Sequence, residues 1–312
     1  MSTPTSRLYF PMHAPHFFIV GAPKCGTTAM YEWLSAHPDI FIPVKEIHYF
    51  GADLHHRRPP VSAERYAGLF RDAGQRITGD VAVWYLMSET AAEEIRDHNP
   101  DARIIIMLRK PHEMLHSLHS QLVYSGEEDI EDFEQALAAE PDRAAGHRIP
   151  RSTHTGLEAP PQECLQYTRV ASFADQVQRY TDTFEHVHVV LHDDIKADAA
   201  ATYRGILEFI GADQQFLPDF SVINPNTQVR SQAARQLIQG LRFGPLRAAV
   251  PAPLRSVGRV VFERLQAFNT EAVDRQSMGT ELTHRLIGEF GPEVERLSSL
   301  IGRDLTGWSA AP

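Results

Sequence analysis

One lysine of this chain stands where an anion could be held. It lies in Gly21-Ala22-Pro23-Lys24-Cys25-Gly26-Thr27-Thr28, after an apolar run and before residues at helical spacing. A glycine-rich turn that opens a helix offers backbone N–H groups and the positive end of the helix dipole to a phosphate. Thr27 and Thr28 add hydroxyl donors, and Lys24 adds a full charge. The outline is that of a phosphate loop, but Thr27 occupies the place where a Walker A loop carries its lysine. No acidic residue presents itself as a Mg²⁺ ligand of the Walker B kind. A lysine inside the loop can still neutralise a bridging oxygen during group transfer. The plain alternative is a threonine-capped turn with a solvated lysine, and the strand–loop–helix setting speaks against it.

Two further clusters could share a site with this loop. Arg109 ends the apolar run Arg103–Leu108, and Ser117 follows eight residues later. An arginine at the C-terminal edge of a parallel strand points into the crevice where α/β proteins bind ligands, and its planar fork suits a phosphate dianion. The segment Lys45-Glu46-Ile47-His48-Tyr49-Phe50 brings a carboxylate, a lysine and an imidazole together. Either Glu46 or His48 could move a proton near neutral pH. Trp84 and Tyr85, after the run Ile77–Val83, could line a pocket, although aromatics after a strand more often belong to the core. His112, His116 and His119 have helical spacing, but no carboxylate or cysteine set completes a metal site, so none is expected.

The elements that must carry these residues follow from periodicity. His16–Gly21, Ile77–Val83, Arg103–Leu108 and Val187–Leu191 read as buried strands. A short strand at Phe41-Ile42 precedes the Lys45-Glu46 pair. Thr28–Ala36, Glu89–His98, Pro111–Tyr124 and Ala199–Ile210 read as helices, the last closed by Gly211. The three isoleucines Ile104, Ile105 and Ile106 demand cover on both faces, as in a parallel sheet. Alternation of this kind predicts an α/β fold, a P-loop-NTPase-like domain with a mostly parallel central sheet flanked by helices. The whole chain, 1–312, reads as one domain: a core over about 16–232 and a helical C-terminal part over about 233–308. The polar stretch 125–170, with a short helix near Phe133–Ala139, reads as a lid or acceptor loop.

Composition narrows the function. With 30 Lys+Arg against 40 Asp+Glu, the net charge is −10, which disfavours a nucleic-acid partner. Only four of the basic residues are lysines, and three of them fall inside the motifs above. Two cysteines, Cys25 and Cys164, cannot build a disulfide framework. No export signal and no apolar run long enough to span a membrane are visible, so a cytoplasmic location is expected. The stretch Leu237–Phe268 mixes apolar residues with arginines, as an interfacial helix does, but Pro251 and Pro253 interrupt it and core packing is the better reading.

The motifs together resemble those of the PAPS-dependent sulfotransferase family, where PAPS is 3′-phosphoadenosine 5′-phosphosulfate. Pro23-Lys24-Cys25-Gly26-Thr27-Thr28 is similar to the family's 5′-phosphosulfate loop. Lys45-Glu46-Ile47-His48-Tyr49-Phe50 is similar to the Lys-Glu segment of the bacterial and carbohydrate-type branch. The resemblance covers roughly residues 16–308 and ends in Gly302-Arg-Asp-Leu-Thr-Gly-Trp308, a termination common in bacterial members.

The resemblance implies PAPS as sulfuryl donor, PAP as product and no metal. It implies that Lys24, Cys25, Gly26, Thr27 and Thr28 hold the 5′ side of the donor and that Arg109 and Ser117 hold the 3′-phosphate. Arg230, in Asn224–Ser231, would close over the nucleotide. The family pattern Arg-Asn-Pro-x-x-Arg-Ala-x-Ser is altered here, with Lys110 for Asn and Met114 for the second Arg. Likewise Gly79-Asp80-Val81-Ala82-Val83 departs from Gly-Glu-x-Ser-Pro. Glu46 is implied as the base, with His48 as runner-up, and Lys24 as the cation on the leaving phosphate. The partner is a small-molecule or sugar acceptor met by residues 51–70 and 125–170, with Trp84 and Tyr85 in its wall; a homodimer is left open. Two other readings remain: a nucleotide-dependent kinase of P-loop type, which a Mg²⁺ requirement would reveal, and a non-catalytic nucleotide-binding protein of the same fold.

Overall fold

The computed structural model describes residues 14–56, 59–150, 159–220, 227–229, 270–272 and 278–310. Five parallel strands form the central sheet: β1 (Phe17–Gly21), β2 (Ile40–Phe41), β3 (Ile77–Val81), β4 (Arg103–Leu108) and β5 (Val187–Leu191). Their spatial order is β2-β3-β1-β4-β5. The chain leaves β1, runs outward to β2, returns beside β1 as β3, and then crosses to β1's other side as β4. Strand order therefore reverses around β1, and ligands of open α/β sheets bind beyond the C-terminal strand ends at such a point. The Lys24 loop follows β1 and Arg109 follows β4, so both lie at that edge.

The residues of the central strands explain their place. Phe17 through Val20 and Ile104 through Leu108 are fully buried. Burying each such side chain contributes roughly 1.5–3 kcal/mol, which holds the middle of the sheet against its entropic cost. In β4, Ile104–Leu108 pairs in register with Val187–Leu191 of β5. Both faces of the sheet are covered, as the isoleucine run required.

The helices form the outer layers. They are α1 (Thr27–Ser35), α2 (Ala63–Leu69), α3 (Ala91–His98), α4 (Pro111–Ser125), α5 (Phe133–Ala138), α6 (Glu140–Ala144), α7 (Tyr167–Ala171), α8 (Phe173–Thr183), α9 (His192–Ala197), α10 (Ala199–Ile210) and α11 (Thr280–Ile301). Pro111 starts α4 with its φ preset, and Gly126 ends it in left-handed backbone. Gly211 closes α10 in the same way. Helix α3 starts at Ala91, two residues later than the periodicity predicts, because the turn before it is held by Asp53: Ser88 Oγ, the Glu89 N–H and Thr90 Oγ1 all donate to that carboxylate.

Three findings go beyond the sequence reading. The described parts of 125–170 hold α5, α6 and α7 and a buried ion pair. Arg143 Nη2 meets Glu128 Oε1 at 2.6 Å with both side chains fully buried, and Tyr167 donates to Glu128 Oε2 at 2.9 Å. Secondly, a short antiparallel ribbon, β6 (Thr227–Val229) with β7 (Thr270–Ala272), places a strand within the stretch expected to be helical. Thirdly, Arg303 and Trp308 both reach α9. Arg303 forks onto Asp194 at 2.7 and 2.8 Å, and the Trp308 indole donates to Asp193 at 2.8 Å. Both aspartates belong to α9, which borders the Lys24 loop. The stretch Leu237–Phe268 lies outside the described residues.

Candidate active site

The turn after β1 is built on two close approaches that only glycine allows. Gly21 has φ +149°, and a Cβ there would lie 2.5 Å from the Val83 carbonyl oxygen and 2.7 Å from Leu86 Cβ. This packs the end of β1 onto the turn that follows β3. Gly26 is the N-cap of α1 at φ +90°, and a Cβ there would reach Ile195 Cδ1 of α9 at 3.0 Å. No side chain caps α1, so its first-turn N–H groups face the loop with the helix dipole behind them. Thr27 is buried and Thr28 half-buried in that first turn.

Lys24 adopts left-handed backbone, φ +62°. Its ammonium donates to Gln121 Oε1 of α4 at 2.5 Å. Cys25 is fully buried and donates to the Pro23 carbonyl. Burial pushes its thiol up to about 12, although Arg109 and Lys24 both act on it in the opposite sense. The thiol therefore stays protonated and offers no nucleophile. Lys24 and Arg109 both act on Cys25, so both lie close to it.

Arg109 donates from Nε and Nη2 to Glu113 Oε2, at 3.0 and 2.6 Å. Burial works to raise the Glu113 carboxyl, but Arg109, helped by Lys196 and Lys110, holds it below its ordinary value. Ser117 is buried on α4, and Gln121 lies one turn beyond it on the same face. His192, at the start of α9, is pushed down to about 4 by burial, with Arg109 and Lys196 adding to the effect. At neutral pH it is an uncharged neighbour of the crevice.

Glu46 lies in the loop after β2. It is buried, with φ +61°. Its N–H donates to the Val81 carbonyl at 2.7 Å, and its Oε2 accepts from the Val83 N–H at 3.1 Å. Lys45 Nζ lies 3.1 Å from Glu46 Oε1 and donates to Thr28 Oγ1 at 2.9 Å. Lys45 thus links the carboxylate to the first turn of α1. His48, also left-handed at φ +49°, has Nε2 at 3.4 Å from Glu46 Oε2 and stacks on His56 with ring centroids 4.6 Å apart.

The structure brings Lys24, Cys25, Gly26, Thr27, Thr28, Arg109, Ser117, Glu46 and His48 to one edge of the sheet. Arg230 lies outside the described residues. Trp84 and Tyr85 are both buried. The Tyr85 hydroxyl is engaged with Asp80 Oδ2 at 3.1 Å and accepts from the Tyr49 N–H at 3.0 Å. Three residues that the sequence reading did not assign to the site also lie there: Gln121, Glu113 and Asp80. Two carried a signal in their spacing. Gln121 is four residues after Ser117 on one helix, and Glu113 is four after Arg109. Among the described residues, no group of three or more His, Cys, Asp or Glu side chains is arranged to hold a metal ion, and no helix is long and apolar enough to cross a membrane.

Comparison with known proteins gives the site a family. A sulfotransferase from Alicyclobacillus acidocaldarius superimposes with a TM-score of 0.69 and 28% identity, covering 95% of this chain and 99% of that one. Human carbohydrate sulfotransferase 15 is 29% identical over 169 residues, 39% of this chain and 30% of that protein. Mouse heparan sulfate glucosamine 3-O-sulfotransferase 6 is 24% identical over 262 residues, 81% of this chain and 68% of that protein. The chain thus spans less than a third of the length of carbohydrate sulfotransferase 15. The sulfotransferase domain model matches residues 14–223, which hold the Lys24 loop, the Glu46 loop and Arg109. By this match, over about two thirds of its length, the chain belongs to the sulfotransferase family.

Proposed function

We propose that the chain transfers the sulfuryl group of PAPS to a hydroxyl, and less readily to an amine, of a small-molecule or carbohydrate acceptor. One observation carries this reading. Among the described residues, four non-glycine residues have left-handed backbone: Lys24, Glu46, His48 and Arg148. Such backbone costs on the order of 1–3 kcal/mol per residue and persists where the fold over-determines it, often at a working site. The proposed cation, the proposed base and its runner-up are three of those four.

The residues present fit a nucleotide with phosphates at both ends. The uncapped start of α1 and Lys24 suit a 5′-phosphosulfate, and the Arg109 fork with Ser117 suits a 3′-phosphate. The bound donor supplies an activated sulfuryl group on a phosphate leaving group. The chain's own groups do the rest. Glu46 takes the proton of the acceptor hydroxyl as its oxygen bonds to sulfur. Lys24 places positive charge where the departing phosphate oxygen gathers negative charge. Lys45, between Thr28 and Glu46, aims the base at the loop. Trp84 follows Val83, whose N–H holds Glu46, and is our candidate for the acceptor wall. Tyr85 is committed to Asp80. Sugar acceptors are favoured because two of the relatives are named for carbohydrate and heparan sulfate sulfotransfer.

The test is transfer of radiolabelled sulfur from PAPS to a panel of sugars, sterols and phenols, run in EDTA. Labelled product that requires Lys24 supports the reading. Transfer of phosphate from ATP that requires added Mg²⁺ would replace it with the kinase reading.

A further inference from the structure

Behind Glu46 lies a second carboxyl that the proposed chemistry does not use. Asp80, on β3, is fully buried. Its Oδ2 accepts from two tyrosine hydroxyls, Tyr66 of α2 at 2.9 Å and Tyr85 at 3.1 Å. Among the described residues, its Oδ1 has no hydrogen-bond partner. A buried carboxyl so placed costs stability, and a fold that keeps one is using it.

Two connections run from Asp80 to the Glu46 loop. The first is mechanical. Tyr85, held by Asp80, accepts the Tyr49 N–H at 3.0 Å, and the Tyr49 ring stacks on Tyr66 at 4.0 Å. Tyr49 follows His48 directly, so this tether closes the loop in which Glu46 and His48 hold left-handed backbone. The second is electrostatic. Glu46 hydrogen-bonds to the Val81 carbonyl and the Val83 N–H, on either side of the strand end that carries Asp80. The Glu46 charge therefore adds to the burial that raises Asp80. The other titratable groups around the pair are Lys45, His48 and Tyr49 from the loop, Tyr66 from α2, Tyr85 from the following turn, and His98 of α3, which meets the Tyr66 ring edge-on at 5.7 Å.

We propose that Asp80 is a positioning residue for the base: through Tyr85 it fixes the loop that carries Glu46 and His48. This rests on the sulfotransferase reading above. The fixed loop keeps Glu46 in its reactive geometry, where a small misplacement costs much rate.

The test uses Asp80→Ala, Asp80→Asn and Tyr85→Phe in the full chain, with PAP affinity and single-turnover rates measured separately. The acceptor is the best of the panel, or water, followed as PAP release from PAPS alone. Asp80→Ala and Tyr85→Phe both cut the tether and should lower the rate about tenfold or more. Asp80→Asn, whose amide oxygen can still accept from both tyrosines, should keep most of the rate. PAP affinity should stay within about twofold in all three, because the donor groups are untouched. Wild-type rates in Asp80→Ala and Tyr85→Phe would overturn the proposal. So would losses that merely track lost PAP binding. Failure of the wild type to bind PAP would instead bring down the donor assignment, and this inference with it.

Discussion

Asp80→Asn should make the protein less sensitive to alkali. Burial pushes the Asp80 carboxyl from 3.8 up to about 7, the two tyrosine hydroxyls oppose that rise, and the Glu46 charge adds to it. The sign follows from proton counts. Between the two values the native state holds the proton and the unfolded chain does not, so stability falls as pH rises through that window and levels off above about 7. At about 1.4 kcal/mol per pH unit, the full loss is on the order of 4 kcal/mol. In Asp80→Asn this loss is absent. The new amide oxygen can accept from both tyrosines, but its NH₂ replaces an oxygen without a partner, at a cost of roughly 1–3 kcal/mol at every pH. Urea unfolding of both proteins at about pH 4.5 and about pH 8 isolates the effect, since all other titrations cancel in the difference of differences. The expected shift in the variant's favour between the two pH values is about 3 kcal/mol. An unchanged stability difference would show that Asp80 is not a buried, reluctant acid, and the reasoning would fail.

Other outcomes follow from single contacts. Glu46→Gln should leave PAP affinity nearly unchanged and lower kcat by about 10²–10⁴-fold in single-turnover assays; a larger loss in His48→Ala would make His48 the base. Lys24→Ala should weaken PAP and slow transfer together, because its charge meets the donor in the ground state and more strongly in the transition state. Gln121→Leu, which removes only the 2.5 Å contact to Lys24, should change kcat more than PAP affinity, as stopped-flow kinetics would show. Glu128→Gln strands the fully buried Arg143 and should cost about 3–5 kcal/mol in urea unfolding, with an unchanged midpoint contradicting the assignment.

The central sheet was legible because its strands are apolar on both faces. Arg103–Leu108 and Val187–Leu191 are bounded as the periodicity predicts. The Lys24 loop and Arg109 were legible because glycine, lysine and strand-end arginine each carry one chemical meaning at their positions. What the sequence could not show is pairing across distance. Gln121 reaches Lys24 from 97 residues away, and Tyr66 and Tyr85 converge on Asp80 from two different elements. Nothing in the local pattern of Asp80 separates it from a surface acid at a strand end. The described parts of 125–170 read as irregular because their helices are short, and the buried Glu128–Arg143 pair that joins them is one no periodicity encodes.

The proposed donor carries a phosphate at each end, held by the Lys24 loop and by Arg109, and everything else depends on it. Calorimetric titration with PAP and with AMP, which lacks the 3′-phosphate, tests it most directly in EDTA. PAP should bind at one site per chain and at least about tenfold more tightly than AMP, a difference of about 1.4 kcal/mol. Arg109→Ala should erase most of that difference while leaving AMP affinity in place. Equal affinity for PAP and AMP in the wild type would contradict the account.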